Sequence, residues 1–254
     1  MKHIPNVFTL LNLFFGCLAI VSTLQPGLTS VVDDNGSGFV GLPENIVMAS
    51  AFIAIAAVID FLDGFVARLL KASSDLGRQL DSLADVVSFG VAPGVIIFQF
   101  LRLSFAQQEG GLDVSTAWLM PAFIVPCAAA FRLGRFNLDT STSTWFKGLP
   151  VPMVGMLVAS FPLIYWFSLN ETALSILGKT WFWYFIIALC SYLMISTIPM
   201  LSLKLKGLSM RTLMPVLIIL IIGIAAALLT GWLAIPVVFA AYIIISLAFK
   251  PNNR

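Results

Sequence analysis

The sequence predicts an all-α polytopic membrane bundle of about eight transmembrane helices, and three observations carry that prediction. Of the 254 residues, 59% are hydrophobic and only 10% charged, with a mean hydropathy of +1.00. Soluble domains carry roughly 25% charged residues, so a water-soluble globule of this composition lacks the polar surface it needs. Apolar runs close to the ~20 residues that cross a bilayer recur along the whole chain. Lysine and arginine, finally, fall almost entirely on one side of the alternating loops.

Taken in order, the runs predict helices over about 6–24, 46–70, 80–103, 117–136, 151–169, 179–201, 211–230 and 232–249. The first follows Met1-Lys2-His3, as a secretory signal does. Phe14 and Phe15, however, stand where cleavage before Cys17 requires small residues, and the run reaches about Leu24, long enough to stay as a span. Breakers separate the others: Gln25-Pro26-Gly27, Asp33-Asp34-Asn35-Gly36, Glu109-Gly110-Gly111, Lys147-Gly148-Leu149-Pro150 and Gly231-Trp232. No loop is long enough for a soluble domain. The chain therefore reads as one integral-membrane domain over 1–254, with a core of about 4–201 and two further helices over about 211–249.

Eight spans put both termini on one side, and that side holds Lys2, Arg68, Lys71, Arg78, Arg132, Arg135, Lys147, Lys204, Lys206, Arg211, Lys250 and Arg254. The other keeps only Arg102 and Lys179, beside Asp33, Asp34, Glu44, Glu109, Asp113 and Glu171. The positive-inside rule makes the basic side cytoplasmic. A formal net charge of +2 is too small to suggest nucleic acid as a partner. Cys17, Cys127 and Cys190 lie in apolar runs and read as buried small hydrophobes, and their odd number argues against a disulfide framework. His3 reads as a surface residue, and Trp181-Phe182-Trp183-Tyr184 as a marker of the outer membrane interface. Lys204, Lys206 and Arg211 read as loop charges or as attractors of anionic lipid.

Ionisable residues at membrane depth cost ~2.5–3.5 kcal/mol each on insertion scales, which makes them functional candidates. Two predicted helices carry them. Asp60, Asp63, Gly64 and Ala67 recur on one face of the second, and Gly77, Asp81, Asp85 and Ser88 on one face of the third. The connection from Lys71 to Asp75 is short, so the helices are antiparallel neighbours and the four carboxylates converge. Like charges so close do not all ionise without cations, and Arg68 alone does not neutralise four. An all-oxygen set selects Mg²⁺, Mn²⁺ or Ca²⁺ over zinc, and two such ions point to phosphoryl chemistry. Gly64 and Gly77 leave room on the carboxylate face for a ligand; Arg68 and Arg78 are placed to meet phosphate oxygens. Salt bridges to Arg68, Lys71 and Arg78 are the plain alternative. They do not account for two facing stripes with glycines between them.

The string Asp60-x2-Asp63-Gly64-x2-Ala67-Arg68-x8-Gly77-x3-Asp81-x3-Asp85 resembles, at all eight positions, the signature of the CDP-alcohol phosphatidyltransferases. That resemblance implies a six-helix catalytic core to which two helices are added here, a homodimer, two divalent ions (Mg²⁺ or Mn²⁺) and a CDP-linked lipid donor. It implies Asp60, Asp63, Asp81 and Asp85 as metal ligands, Asp85 as general base, and Gly64, Arg68, Ser74, Gly77 and Asp81 as the CDP-diacylglycerol site. Ser74 also reads as a simple turn residue.

Four flanking segments resemble the phosphatidylserine synthase branch: Ile4 to Asn12, Ser88 to Pro93, Phe131 to Asn137 and Phe146 to Pro152. Gly134 departs from the alanine more usual there and is expected to loosen local packing. L-serine is the acceptor that branch implies, and its carboxylate needs a cation. Ser88, Arg132, Arg135 and Lys147 are the candidates beside the site. Each also has a bland reading: polar stripe for Asn6, Thr9 and Asn12, helix kink for Pro93 and Gly94, positive-inside charge for the basic residues. A prenyltransferase is disfavoured because no second acidic cluster lies near 180–200. A cation transporter is disfavoured because these acids lie near the basic loop rather than at the midplane.

Overall fold

The computed structural model describes residues 4–25, 28–32, 38–70, 74–108, 111–138, 146–201 and 210–249. Helix α1 spans Ile4–Leu24 and leads to a hairpin of β1 (Thr29–Val32) and β2 (Gly38–Gly41). Helix α2 follows over Ile46–Leu69 and packs along α1, with Ala49, Ile53 and Ala56 buried at every third or fourth position. Next come α3 (Asp75–Val86), a π-helical turn (Val87–Val91) and α4 (Ala92–Ala106), a single 32-residue rod. Pro93 explains the π turn. It has no N–H to donate, and its ring clashes with the carbonyl four residues back, so the ladder widens there and the Ala92 N–H reaches Val87 O. The expected kink becomes a π-helical insertion within an otherwise unbroken span.

Short 3₁₀ turns between Gly111 and Phe123 lead into α5 (Ile124–Leu138). Then follow β3 (Phe146–Lys147), α6 (Val151–Phe167), α7 (Glu171–Leu177), α8 (Thr180–Ile195) and β4 (Pro199–Met200), which pairs with β3. Helices α9 (Met210–Thr230) and α10 (Ala234–Ala248) end the described chain. They fold back on each other at Gly231, whose φ of 57° suits glycine. A methyl on Gly223 would lie 3.2 Å from Val238 Cγ2, and the two residues flank Gly231 about equally.

Helices occupy all eight expected segments, but not eight helices of spanning length. Five described runs are long and apolar enough to cross a membrane, and the last of them, Met214–Ala248, takes in most of α9 and all of α10. The α7–α8 pair, bent by 76°, makes a sixth; α6, with 17 residues, is shorter. The Asp75–Ala106 rod is the central pillar, with 72% of its most apolar stretch buried against 6% for Met214–Ala248.

Three expectations change. Trp183 is not an interfacial anchor: it is wholly buried, stacks on Phe100 at 4.6 Å and donates from Nε1 to Leu177 O at 2.8 Å. Only Trp181 of that stretch is strongly exposed, because the α7–α8 bend turns the opposite face inward. Of the cysteines Cys190 alone is buried; Cys17 and Cys127 lie on the outside of the bundle, where lipid is as apolar as a protein core. A methyl on Gly134 would meet nothing within 4 Å, so there is no packing for glycine to loosen. Lys2, His3, Lys71, Lys204, Lys206, Lys250 and Arg254 lie outside the described residues.

Candidate active site

Three helix ends meet around the acids. Ser74 caps α3, its Oγ accepting the Gly77 N–H at 3.0 Å. Asp75 sits in the first turn, where a negative charge suits the helix dipole. The antiparallel run of α2 and α3 brings carboxylate oxygens of Asp60, Asp63 and Asp81 within 4.8 Å of one another. Asp85 lies a turn deeper and is buried, and the Asp60 side chain contacts both Asp81 and Asp85.

Helix α1 closes the third side. Thr9 Oγ1 donates to Asp63 Oδ2 at 2.9 Å, and Asn12 Nδ2 donates to Asp85 Oδ1 at 3.2 Å. The polar stripe Asn6, Thr9, Asn12 therefore faces the acids rather than merely decorating a helix. A groove of about 190 Å³ opens beside them, lined by residues of all three helices, among them Asn6, Thr9, Gly64, Gly77, Arg78 and Asp81.

The two motif glycines differ. A methyl on Gly77 would meet Asn6 Oδ1 and Ser74 Oγ, each at 3.1 Å, so this glycine lets α1 approach α3. A methyl on Gly64 would meet nothing within 4 Å, and Gly64 borders the groove. Packing within the chain gives no reason for a glycine there; a ligand against the backbone does. Arg68 bends back along α2 to donate from Nε to Gly64 O at 2.8 Å and is not among the groove residues. Arg78 is, and it holds Asp75 at 3.0 Å in an exposed pair, which water screens.

Divalent cations fit this donor set. All ligand atoms are carboxylate oxygens, three acids converge, and Asp81 Oδ1 is buried without a hydrogen-bond partner. A buried orphan acceptor costs about 1–3 kcal/mol, and a hard cation is what relieves both the orphan and the crowding.

The acceptor candidates separate. Arg132 on α5 is buried, interacts electrostatically with Asp85, lies 5.5 Å from the Phe136 ring centroid, and has an unpartnered Nε. Ser88 is wholly buried and donates to Asn12 O at 3.0 Å, which ties the π turn to α1. Arg135 donates to the carbonyls of Ile195 (2.7 Å), Ser196 (2.9 Å) and Lys147 (3.3 Å), and so caps the end of α8. Lys147, in β3, is exposed beside that cap. Next to it Gly148 has φ 78°, and a methyl there would strike Met194 O and Ser196 O. Two of the flanking motifs thus meet at one joint and have a structural purpose that spacing alone did not reveal.

Residues 2–174 match the family model described as CDP-alcohol phosphatidyltransferase. The chain is 39% identical over 165 residues to a CDP-diacylglycerol–serine O-phosphatidyltransferase of Saccharomyces cerevisiae, covering 61% of this chain and 52% of that protein. It is 32% identical over 171 residues to the Bacillus subtilis protein of the same name, covering 65% of this chain and 78% of that one. A third such protein, from Helicobacter pylori, is 34% identical over 156 residues, covering 61% of this chain and 54% of the relative. The matched region thus spans about half the length of two of these relatives and most of the third. With five of the eight motif positions (Asp63, Gly64, Ala67, Gly77 and Asp81) lining one groove, and the family match covering the helices that build it, the chain belongs to the CDP-alcohol phosphatidyltransferase family.

Proposed function

We propose that this chain transfers the phosphatidyl group of CDP-diacylglycerol to L-serine, giving phosphatidylserine and CMP. The observation that carries the reading is the convergence of Asp60, Asp63 and Asp81 with an orphaned Asp81 oxygen beside a groove that runs past Gly64. The acceptor is read from relatives whose names specify serine and from the cation beside Asp85.

Asp60, Asp63, Asp81 and Asp85 are the residues that would hold Mg²⁺ or Mn²⁺, and bound ions would supply charge neutralisation for the donor's diphosphate. Gly64 lets the nucleotide and phosphates lie against backbone, with Ser74 and Gly77 lining the groove opposite, Arg78 at the rim and Arg68 one turn away. The acyl chains stay in the bilayer. Asp85 takes the serine hydroxyl proton as that oxygen bonds to the phosphorus bearing diacylglycerol; the bond from this phosphorus to the CMP oxygen breaks, and CMP leaves. Arg132 faces the serine carboxylate, while Ser88 ties the π turn to α1 and Arg135 holds the joint of β3 and α8 beside Lys147. The whole chain acts as one integral-membrane catalytic domain in the cell membrane, as a homodimer, with the site and both termini cytoplasmic.

The test is CMP release by purified protein given CDP-diacylglycerol and Mn²⁺ or Mg²⁺, with serine, glycerol 3-phosphate and inositol phosphate offered separately. Release with serine alone is expected. Release with another alcohol keeps the site and discards serine; metal-loaded, folded protein inert to all three returns the chain to the transporter reading. Asp85→Asn is expected to lower turnover by about 10²–10⁴-fold, as loss of a general base does, with a smaller loss in donor binding. Equal losses in both would discard Asp85 as the base.

A further inference from the structure

Asn12 stands apart from the other polar residues of α1. It is wholly buried, six residues past the groove-lining Asn6 and so deeper in the bundle. Its side-chain amide donates to Asp85 Oδ1 at 3.2 Å, while its main-chain carbonyl accepts the Ser88 hydroxyl at 3.0 Å. One residue therefore grips the rod on both sides of the α3–π junction.

The backbone is arranged to allow it. The π turn set up by Pro93 includes Ser88, three residues past Asp85. One turn along α1 from Asn12 stands Gly16, where a methyl would collide with Ser88 Oγ and lie 2.9 Å from Ser88 Cα. The rod and α1 thus approach to backbone contact at the level of Asp85, and no larger residue at 16 permits that.

We infer that Asn12 is a positioning residue for the transfer reaction: its amide holds Asp85 Oδ1 and leaves Oδ2 as the oxygen that takes the acceptor's proton. This rests on the base assignment above. A carboxylate buried among three others has no reason to keep one orientation unless a donor selects it, and Asn12 Nδ2 is the side-chain donor to Asp85 among the described hydrogen bonds. The Asn12 Oδ1 has no partner and is buried, so the amide is held by its donor side rather than by its acceptor.

Asn12→Leu keeps the shape and removes the donor. Turnover per folded molecule is expected to fall about 10–100-fold, as when the partner that orients a functional group is lost, with the KM for CDP-diacylglycerol within about twofold. The loss of Mn²⁺ affinity is expected to be much smaller than the loss of turnover, since three other carboxylates remain in place. In an Asp85→Ala background the same substitution is expected to change turnover less than about twofold, since the residue it acts through is gone. Should Asn12→Leu aggregate, Asn12→Ser serves: its short hydroxyl bonds back to its own helix and does not reach Asp85, so the same losses are expected. Unchanged turnover, an equal loss in both backgrounds, or a drop in Mn²⁺ affinity matching the drop in turnover would each overturn the inference. Full turnover in Asp85→Ala alone is a separate result; it removes the base assignment, and this inference with it.

Discussion

The same two rods, α1 and Asp75–Ala106, lead to hydrogen-bonded polar groups at each end, buried at Thr23, Gln99 and Ser104 on the far side, and the two ends are opposites. At the far end Gln99 donates to Thr23 O at 3.1 Å and accepts from Arg102 Nη1 at 3.1 Å. Gln108 donates to Thr180 Oγ1 and Ser104 O, and Thr180 donates to Ser104 Oγ. None of these side-chain atoms is buried without a partner. At the acidic end carboxylates crowd together, and Asn12 Oδ1, Asp81 Oδ1 and Arg132 Nε all lack partners. Polar groups paired with one another and with the main chain in this way serve the fold. Unpartnered polar atoms among crowded carboxylates cost stability until a ligand completes them. It is this combination that marks the site, not an orphan atom alone, since Ser50 Oγ and Ser191 Oγ also lack partners.

The sharpest way to break this comparison is Asp81→Asn. If the orphan oxygen waits for a cation, turnover falls about a thousandfold, taking several kcal/mol of lost stabilisation at tenfold per 1.36 kcal/mol. Calorimetric Mn²⁺ binding is lost with it. Thermal stability of metal-free protein is expected to rise, because one of the crowded like charges is gone. Retained Mn²⁺ binding and turnover would show the acidic end to be as structural as the other.

The acidic end was legible in sequence because chemistry imposes spacing: Asp60, Asp63, Asp81 and Asp85 must recur at three and four residues to share a face. The third wall was half legible. Asn6, Thr9 and Asn12 form a stripe, but a stripe does not say what it faces, and only the packing of α1 against α2 and α3 brings Thr9 to Asp63 and Asn12 to Asp85. The π turn was not legible, since Pro93 announces a break without its kind. Trp183 was misread because aromatic anchors and aromatic cores share a composition, and the α7–α8 bend decides between them. The number of crossings resists counting for a related reason: hydropathy measures apolar length, and α6 falls short of the length that spans while the apolar stretch over α9 and α10 folds back on itself at Gly231.

Glycine gives a finer comparison. Gly64 and Gly134 both lie within helices with open space where a methyl would go, but only Gly64 borders the groove. Alanine at either is expected to stabilise the helix by about 0.5–1 kcal/mol, raising Tm by roughly 1–4 °C for a chain of this size. Gly64→Ala alone is expected to weaken CDP-diacylglycerol binding, by about tenfold, because the methyl occupies ligand space. Equal behaviour of the two variants would mean that the opening at Gly64 is as idle as that at Gly134.

The smallest effect on catalysis belongs to the far end, and it tests the comparison from its other side. Gln99 is 1% exposed and joins two elements, the α1 backbone at Thr23 and the Arg102 guanidinium. Gln99→Met fills similar volume but leaves Thr23 O and Arg102 Nη1 without this partner. A buried group so stranded costs about 1–3 kcal/mol, less for the half-buried Arg102, and for a chain of this length each kcal/mol lowers Tm by roughly 2–4 °C. Turnover per folded molecule is expected to stay within about twofold, since these groups lie at the other end of the rods from the acids. A saturated network that proved to carry turnover would have to act through the rod itself, Gln99 pulling on the segment that holds Asp85. The readout that separates the two is whether lost turnover tracks the unfolded fraction or exceeds it.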